Sequence, residues 1–255
     1  MSYLIYYFRT FLLKIKDWLP ENVVDWLNGI SFIVSIWLFI FPYPFFKELF
    51  CILACIPILG IIITIFKENI TFDSYINRDP NQDIGEQNSV PGNIVPCAII
   101  LALSAYKNFE CENYYILIKH VGMVFLFFSA IFILTHIIKK LKLQIVSYFF
   151  IAIWILIYSY GITFGINCLF DSSSPQRFRT SILDKYSGGG GDYPDTYHFT
   201  IAPWGNHKYT EDISVSRKRY DAYNIDYTIY IDQQKGLFNI PWYHVEDSKA
   251  LYPIR

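Results

Sequence analysis

Four runs of this chain, residues 30–46, 49–66, 121–138 and 143–164, contain no Asp, Glu, Lys or Arg. A hydrocarbon core about 30 Å thick needs roughly 20 helical residues at about 1.5 Å each, so each run comes close to a membrane crossing. Past Phe170 the pattern changes to short alternating runs, turns and glycines. The chain changes solvent near Phe170. The expected fold class is an α+β membrane protein: four or five transmembrane helices, then a small extramembrane β domain. Three regions follow from this: an amphipathic interfacial segment at 1–28, a helical bundle at 29–168 with a polar loop at 67–93, and a soluble β domain at 171–255.

Composition agrees with that division. Of 255 residues, 53% are hydrophobic and 17% charged, against roughly 25% charged in ordinary globular domains. A net charge of -1 argues against nucleic acid as a partner, because a phosphate-binding surface needs clustered Lys and Arg.

The first two apolar runs are separated by Lys47-Glu48, just after Phe41-Pro42-Tyr43-Pro44, whose prolines remove helix donors and predict a tight hairpin. Lys139-Lys140-Leu141-Lys142 separates the last two runs and forms the densest basic cluster beside a span. The positive-inside rule puts it in the cytoplasm. The amino-terminal arm, with Arg9, Lys14 and Lys16, is expected there too, as an amphipathic helix over residues 1–18 lying flat on the interface. Both can be cytoplasmic only if an even number of crossings separates them. A fifth apolar stretch of only 13 residues, 94–106, reads alone as a re-entrant or buried helix; the even count favours a full crossing, after which the last helix delivers the β domain to the outer side. Arg9 interrupts the apolar start at 3–8 and no small-residue cleavage site follows, so the first membrane helix is expected to direct insertion.

Several tempting motifs carry no chemistry. Asp79-Pro80-Asn81-Gln82-Asp83 begins like a calcium loop, but Ile84 and Val90 stand where the turn glycine and the bidentate acid belong. Asn69-Ile70-Thr71 matches a glycan acceptor but abuts a span on the predicted cytoplasmic side. Cys51, Cys55, Cys97, Cys111 and Cys168 show no metal-ligand spacing. His120 and His136 fall at the edges of one apolar helix, where carbonyl-bonded histidines are the ordinary state. His198, His207 and His244 in the tail have no compact zinc spacing. No metal or cofactor is therefore expected. No nucleophile–base pair or phosphate loop stands out, which weighs against an enzyme.

In the tail, Phe178, Thr180 and Ile182 oppose Arg179, Ser181 and Leu183, and Tyr197, Phe199 and Ile201 oppose His198, Thr200 and Ala202. Ile213 and Val215 alternate with serines, Tyr227, Ile229 and Ile231 continue the pattern, and a last strand is expected at 237–245. Turn chemistry at 188–191, 203–205 and 233–236 separates them. Five short strands predict a partly closed barrel or a meander. Trp204 and Trp242 each follow a proline. Either both rings plug the β core, or one of them joins Tyr243 in an exposed contact patch.

Asp171-Ser172-Ser173-Ser174-Pro175-Gln176, Ala202-Pro203-Trp204-Gly205 and the run Lys235-Gly236-Leu237-Phe238-Asn239-Ile240-Pro241-Trp242-Tyr243 resemble an uncharacterised group of bacterial multi-pass membrane proteins. In that group several spans precede a segment with PWG and a final G-L-G-x-PWY-like hairpin. The resemblance covers mainly the β tail and implies architecture, with Asn239 where the group's second glycine is usual. The expected function is an integral protein of the bacterial inner membrane. It presents an extracytoplasmic β domain to another membrane or envelope protein. The alternative is an accessory subunit or small transporter handling an apolar substrate through its bundle.

Overall fold

The computed structural model describes residues 23–66, 91–139, 145–189 and 196–246. The amino-terminal arm, residues 67–90 with their acidic turn, Lys140–Lys142 of the basic cluster and residues 190–195 lie outside those described. The chain forms two compact units. One is helical; the other joins Phe109–Asn113 to the chain from Phe170 onward.

The helical unit contains α1 (Val23–Ile40), α2 (Phe46–Phe66), α3 (Pro91–Asn108), α4 (Tyr114–Lys139) and α5 (Ile145–Leu169). Three of these, α2, α4 and α5, are long and apolar enough to cross a membrane, fewer than the four or five expected. The apolar parts of α1 and α3 are shorter. The prolines at 42 and 44 explain α1: they end the helix at Ile40, so the uncharged run 30–46 is shared between two helices. The helix α3 begins earlier than its apolar run, at Pro91, whose missing N–H costs nothing in a first turn.

Two glycines on α5 set the closest helix packing. A Cβ on Gly161 would lie 2.7 Å from the Ala102 backbone nitrogen, and one on Gly165 would lie 2.1 Å from the Phe50 ring. Glycine spaced by four lets helices approach this closely. Pro57 inside α2 frees carbonyls one turn back, and the Tyr158 hydroxyl donates to the neighbouring Ala54 carbonyl. Large apolar side chains such as Phe32, Phe39, Leu126, Phe127, Ile137 and Phe149 face outward.

The second unit is a six-stranded antiparallel sheet in the order β1-β6-β5-β2-β3-β4. The strands are β1 (Glu110–Cys111), β2 (Gln176–Gly188), β3 (Thr196–Ile201), β4 (Glu211–Val215), β5 (Thr228–Gln234) and β6 (Trp242–Glu246). The sixth strand beyond the expected five is β1, which comes from the short break between α3 and α4 and pairs with β6 through Glu110↔Tyr243 and Cys111↔Trp242. The last strand also starts later than expected, because Leu237–Ile240 form a turn.

The alternation in β2 holds through Ile182, and an irregularity between Ile182 and Asp184 then resets it. Lys185, rather than Asp184, continues the inner face opposite Phe199. Such a bulge bends and twists the strand, letting β2 serve both halves of a curled sheet. The inner face holds Ile182, Phe199, Ile201, Ile213, Ile229, Ile231, Trp204 and Tyr243. A short helix, α6 (Arg217–Ala222), follows β4; Ser216 caps it by accepting from the Arg219 N–H. Sequence periodicity missed this single turn. The Lys185 ammonium holds its end by donating to the Tyr220 carbonyl and, at 2.8 Å, to the Tyr223 carbonyl.

Candidate functional site

All three aromatic residues singled out in the sequence, Trp204, Trp242 and Tyr243, are buried, with at most 8% of their surface exposed. The structure brings two of them together. Trp204 meets Tyr243 edge-on at 4.9 Å and lies flat on His207 at 4.1 Å. Gly205 makes the turn beneath it with φ 51, and a Cβ there would also press on the Phe178 ring. Trp242 stands apart, because successive side chains of a strand point to opposite faces. Its ring meets Phe109 edge-on at 5.2 Å.

Around Trp204 lies a polar cluster built from distant parts of the chain. The Trp204 Nε1–H donates to Glu211 Oε2 at 3.1 Å, and the His207 Nδ1–H donates to Glu211 Oε1. On the other side of the imidazole, Nε2 lies 4.0 Å from Glu112 Oε1. Glu112 in turn accepts from the Gln233 side-chain amide. Desolvation, reinforced by the Glu211 charge, raises the Glu110 carboxyl. Burial, opposed by an Asn113 N–H and helped by the adjacent Glu112 and Glu110 charges, pushes the Cys111 thiol up to about 11. A thiol held in that state is a poor nucleophile. Sequence reasoning missed Glu112 because its partners lie about a hundred residues away; the Glu110-Cys111-Glu112 break between apolar runs was the only visible sign.

Asp171 ties the tail's motifs together. Oδ2 accepts from the Gly236 N–H at 2.7 Å and the Trp242 Nε1–H at 2.9 Å, while Oδ1 accepts from the Ser173 N–H at 2.8 Å. Partial burial alone would raise this carboxyl; the hydrogen bonds from Ser173, Trp242 and Gly236 outweigh it and hold the group below the ordinary carboxylate range. Asn239 has φ 56 and Gly236 φ 79. Asn239 therefore adopts the left-handed conformation that a glycine would take, which asparagine tolerates well. The runs 171–176 and 235–243 are thus joined in one hydrogen-bonded turn assembly.

The outer face of the sheet is different in character. Tyr186 stacks on His198 at 5.0 Å, and its hydroxyl bonds Asp212, which also accepts from Thr200 Oγ1 at 2.6 Å. Further along, Arg177 grips the buried Asp232 with two bonds of 2.8 Å beside an exposed Tyr230. The tail histidines occupy separate places: His198 on this outer face, His207 in the cluster and His244 stacked on Trp242. Among the described residues no group of His, Cys, Asp or Glu is arranged to hold a metal ion. No protein-family model, curated protein or solved structure matches the chain.

Proposed function

We propose that this chain is an integral membrane protein whose helices anchor a small extracytoplasmic β unit that binds another membrane or envelope protein. The observation that supports the arrangement of crossings is the pairing of β1 with β6. Residues 109–113 and 242–246 have to lie on the same side of the bilayer to pair. If both α4 and α5 cross, the two intervening crossings put them there. With α3 about 27 Å long at about 1.5 Å per residue, five crossings leave the basic cluster at 139–142 opposite the β unit, and the positive-inside rule assigns that cluster to the cytoplasm.

The recognition part rests on the contrast between the two faces of the sheet. The inner rings are committed to the core, so contacts fall to exposed residues of the outer face such as Tyr186 and Tyr230. Tyrosine supplies large contact area at low entropic cost. The localisation that fits is the bacterial inner membrane. Photo-cross-linking residues placed at 186 and 230 in living cells should capture a discrete protein, whereas the same residue at buried 199 should not. Absence of capture from every outer-face position would overturn the reading.

One observation favours the transporter alternative: Ser159, Thr163 and Asn167 are buried along one stripe of α5. Ser159 donates back to the Ile155 carbonyl at 2.7 Å, a bond that satisfies the hydroxyl within its own helix. Helix–helix packing therefore accounts for that residue without a substrate path.

A further inference from the structure

Among the described residues β4 is an edge strand with a backbone row that no other strand pairs, and the bonding pattern fixes which residues form it. The Ala202 N–H donates to the Ser181 carbonyl at 2.9 Å, toward β2. Along β3 the backbone direction alternates, so Ile201, Phe199 and Tyr197 turn theirs toward β4. Their register partners Glu211, Ile213 and Val215 complete that ladder. The N–H and C=O groups of Asp212 and Ser214 consequently face the open edge, and both residues are exposed.

Natural sheets guard such edges with proline, lysine, bulges or a covering element. Among the described residues none of these guards β4: its sequence is Glu-Asp-Ile-Ser-Val and its pairing with β3 is regular. Asp212 is the one charge on the outward row, and its carboxylate is already engaged by Thr200 and Tyr186.

We infer that β4 pairs antiparallel with β4 of a second copy of this chain, joining two sheets into one across a two-fold axis at Ile213. Charge pattern selects this occupant. The strand opens on Glu211 and Asp212, and the basic run Arg217-Lys218-Arg219 follows its end. An antiparallel second copy sets the acidic end of each strand toward the basic end of the other; a parallel one sets like against like. Centring on Ile213 places Asp212 opposite Ser214 of the second copy twice over, and each such pair exchanges both main-chain bonds. Centring on Asp212 would oppose two aspartates and lose one of the two pairs. The contact is isologous and therefore closes as a dimer without extending into a fibre.

This inference rests on the reading of the β unit as an interaction module and names its partner. The test uses the full chain in membranes, with one copy carrying Asp212→Cys and a differently tagged copy carrying Ser214→Cys. A short thiol-reactive cross-linker should join the mixed pair, with far less product from either variant alone. Ser214→Pro, which removes only an outward donor, should abolish the product and leave a monomer in detergent with unchanged β content. Asp212→Lys should also weaken it, and adding Arg217→Glu with Lys218→Glu should restore it. A monomeric wild type, or a dimer indifferent to Ser214→Pro, would overturn the self-pairing. Capture of a different protein at Tyr186 together with a monomeric wild type would overturn it while leaving the module reading standing. Loss of both would remove both.

Discussion

Asp171 concentrates several of the β unit's turn contacts in one side chain. It satisfies two backbone donors and an indole N–H at the junction of three segments. Asp171→Asn keeps the size but loses the charge and one acceptor oxygen. Given partial exposure, a loss of about 1–2 kcal/mol is expected in thermal or denaturant unfolding. The sign of the pH effect follows from its lowered folded value. The unfolded carboxyl titrates near ~3.9, so the stabilisation is complete above that range and is lost as pH falls through the folded value. Melting curves taken from neutral pH downward should show the wild type losing stability relative to Asp171→Asn only at the acid end. A constant difference across that range would contradict the assignment. Proline before tryptophan at 203–204 and 241–242 was readable as turn chemistry; that both rings are buried, Trp204 in the inner core and Trp242 on the opposite face against Phe109, was decided by tertiary packing.

At the scale of elements, helix α5 depends on its glycines and the sheet depends on β1. Gly161→Ala would force the α3 backbone outward and should cost about 1–3 kcal/mol in detergent stability. Gly122→Ala is the control: nothing lies within 4 Å of a Cβ there, so it should be neutral or gain about 0.5–1 kcal/mol from the lower backbone entropy. For the sheet, residues 171–255 produced alone lack Phe109 against Trp242 and the main-chain bond from the Glu112 N–H to the Pro241 carbonyl. Losing one buried phenylalanine is worth about 3–5 kcal/mol, which in so small a unit lowers Tm on the order of 10 °C or more. Fusing residues 107–115 to that segment through a flexible linker should restore most of the difference. Equal melting temperatures would show that β1 adds nothing. Of the five tail strands, β2, β3, β4 and β5 were legible from period-two alternation. The two-residue β1 was not, because two residues carry no period and its partner is remote in sequence.

For the whole molecule, the proposed arrangement of crossings makes a direct prediction. Reporter fusions after Arg255 should be active only in the extracytoplasmic format and fusions near Lys142 only in the cytoplasmic one. A cysteine at Asn113 should be labelled from the same side as the carboxyl terminus. Labelling of Asn113 from the side of Lys142 would break the pairing of β1 with β6 and with it the proposed topology. By itself, the sequence determined the change from apolar helical runs to alternating strands near Phe170 and the inward and outward residues of most strands. Each of those follows from local composition or a short period, which a window of ten or twenty residues contains in full. The tertiary structure alone decided that Glu110-Cys111-Glu112 joins the distant sheet, that Glu112 and Glu211 flank His207, that Asn239 takes a glycine's conformation, and that the backbone groups of Asp212 and Ser214 turn away from β3. Those outcomes depend on which strand lies beside which and on a bulge that resets the alternation, and no local pattern encodes a neighbour a hundred residues away.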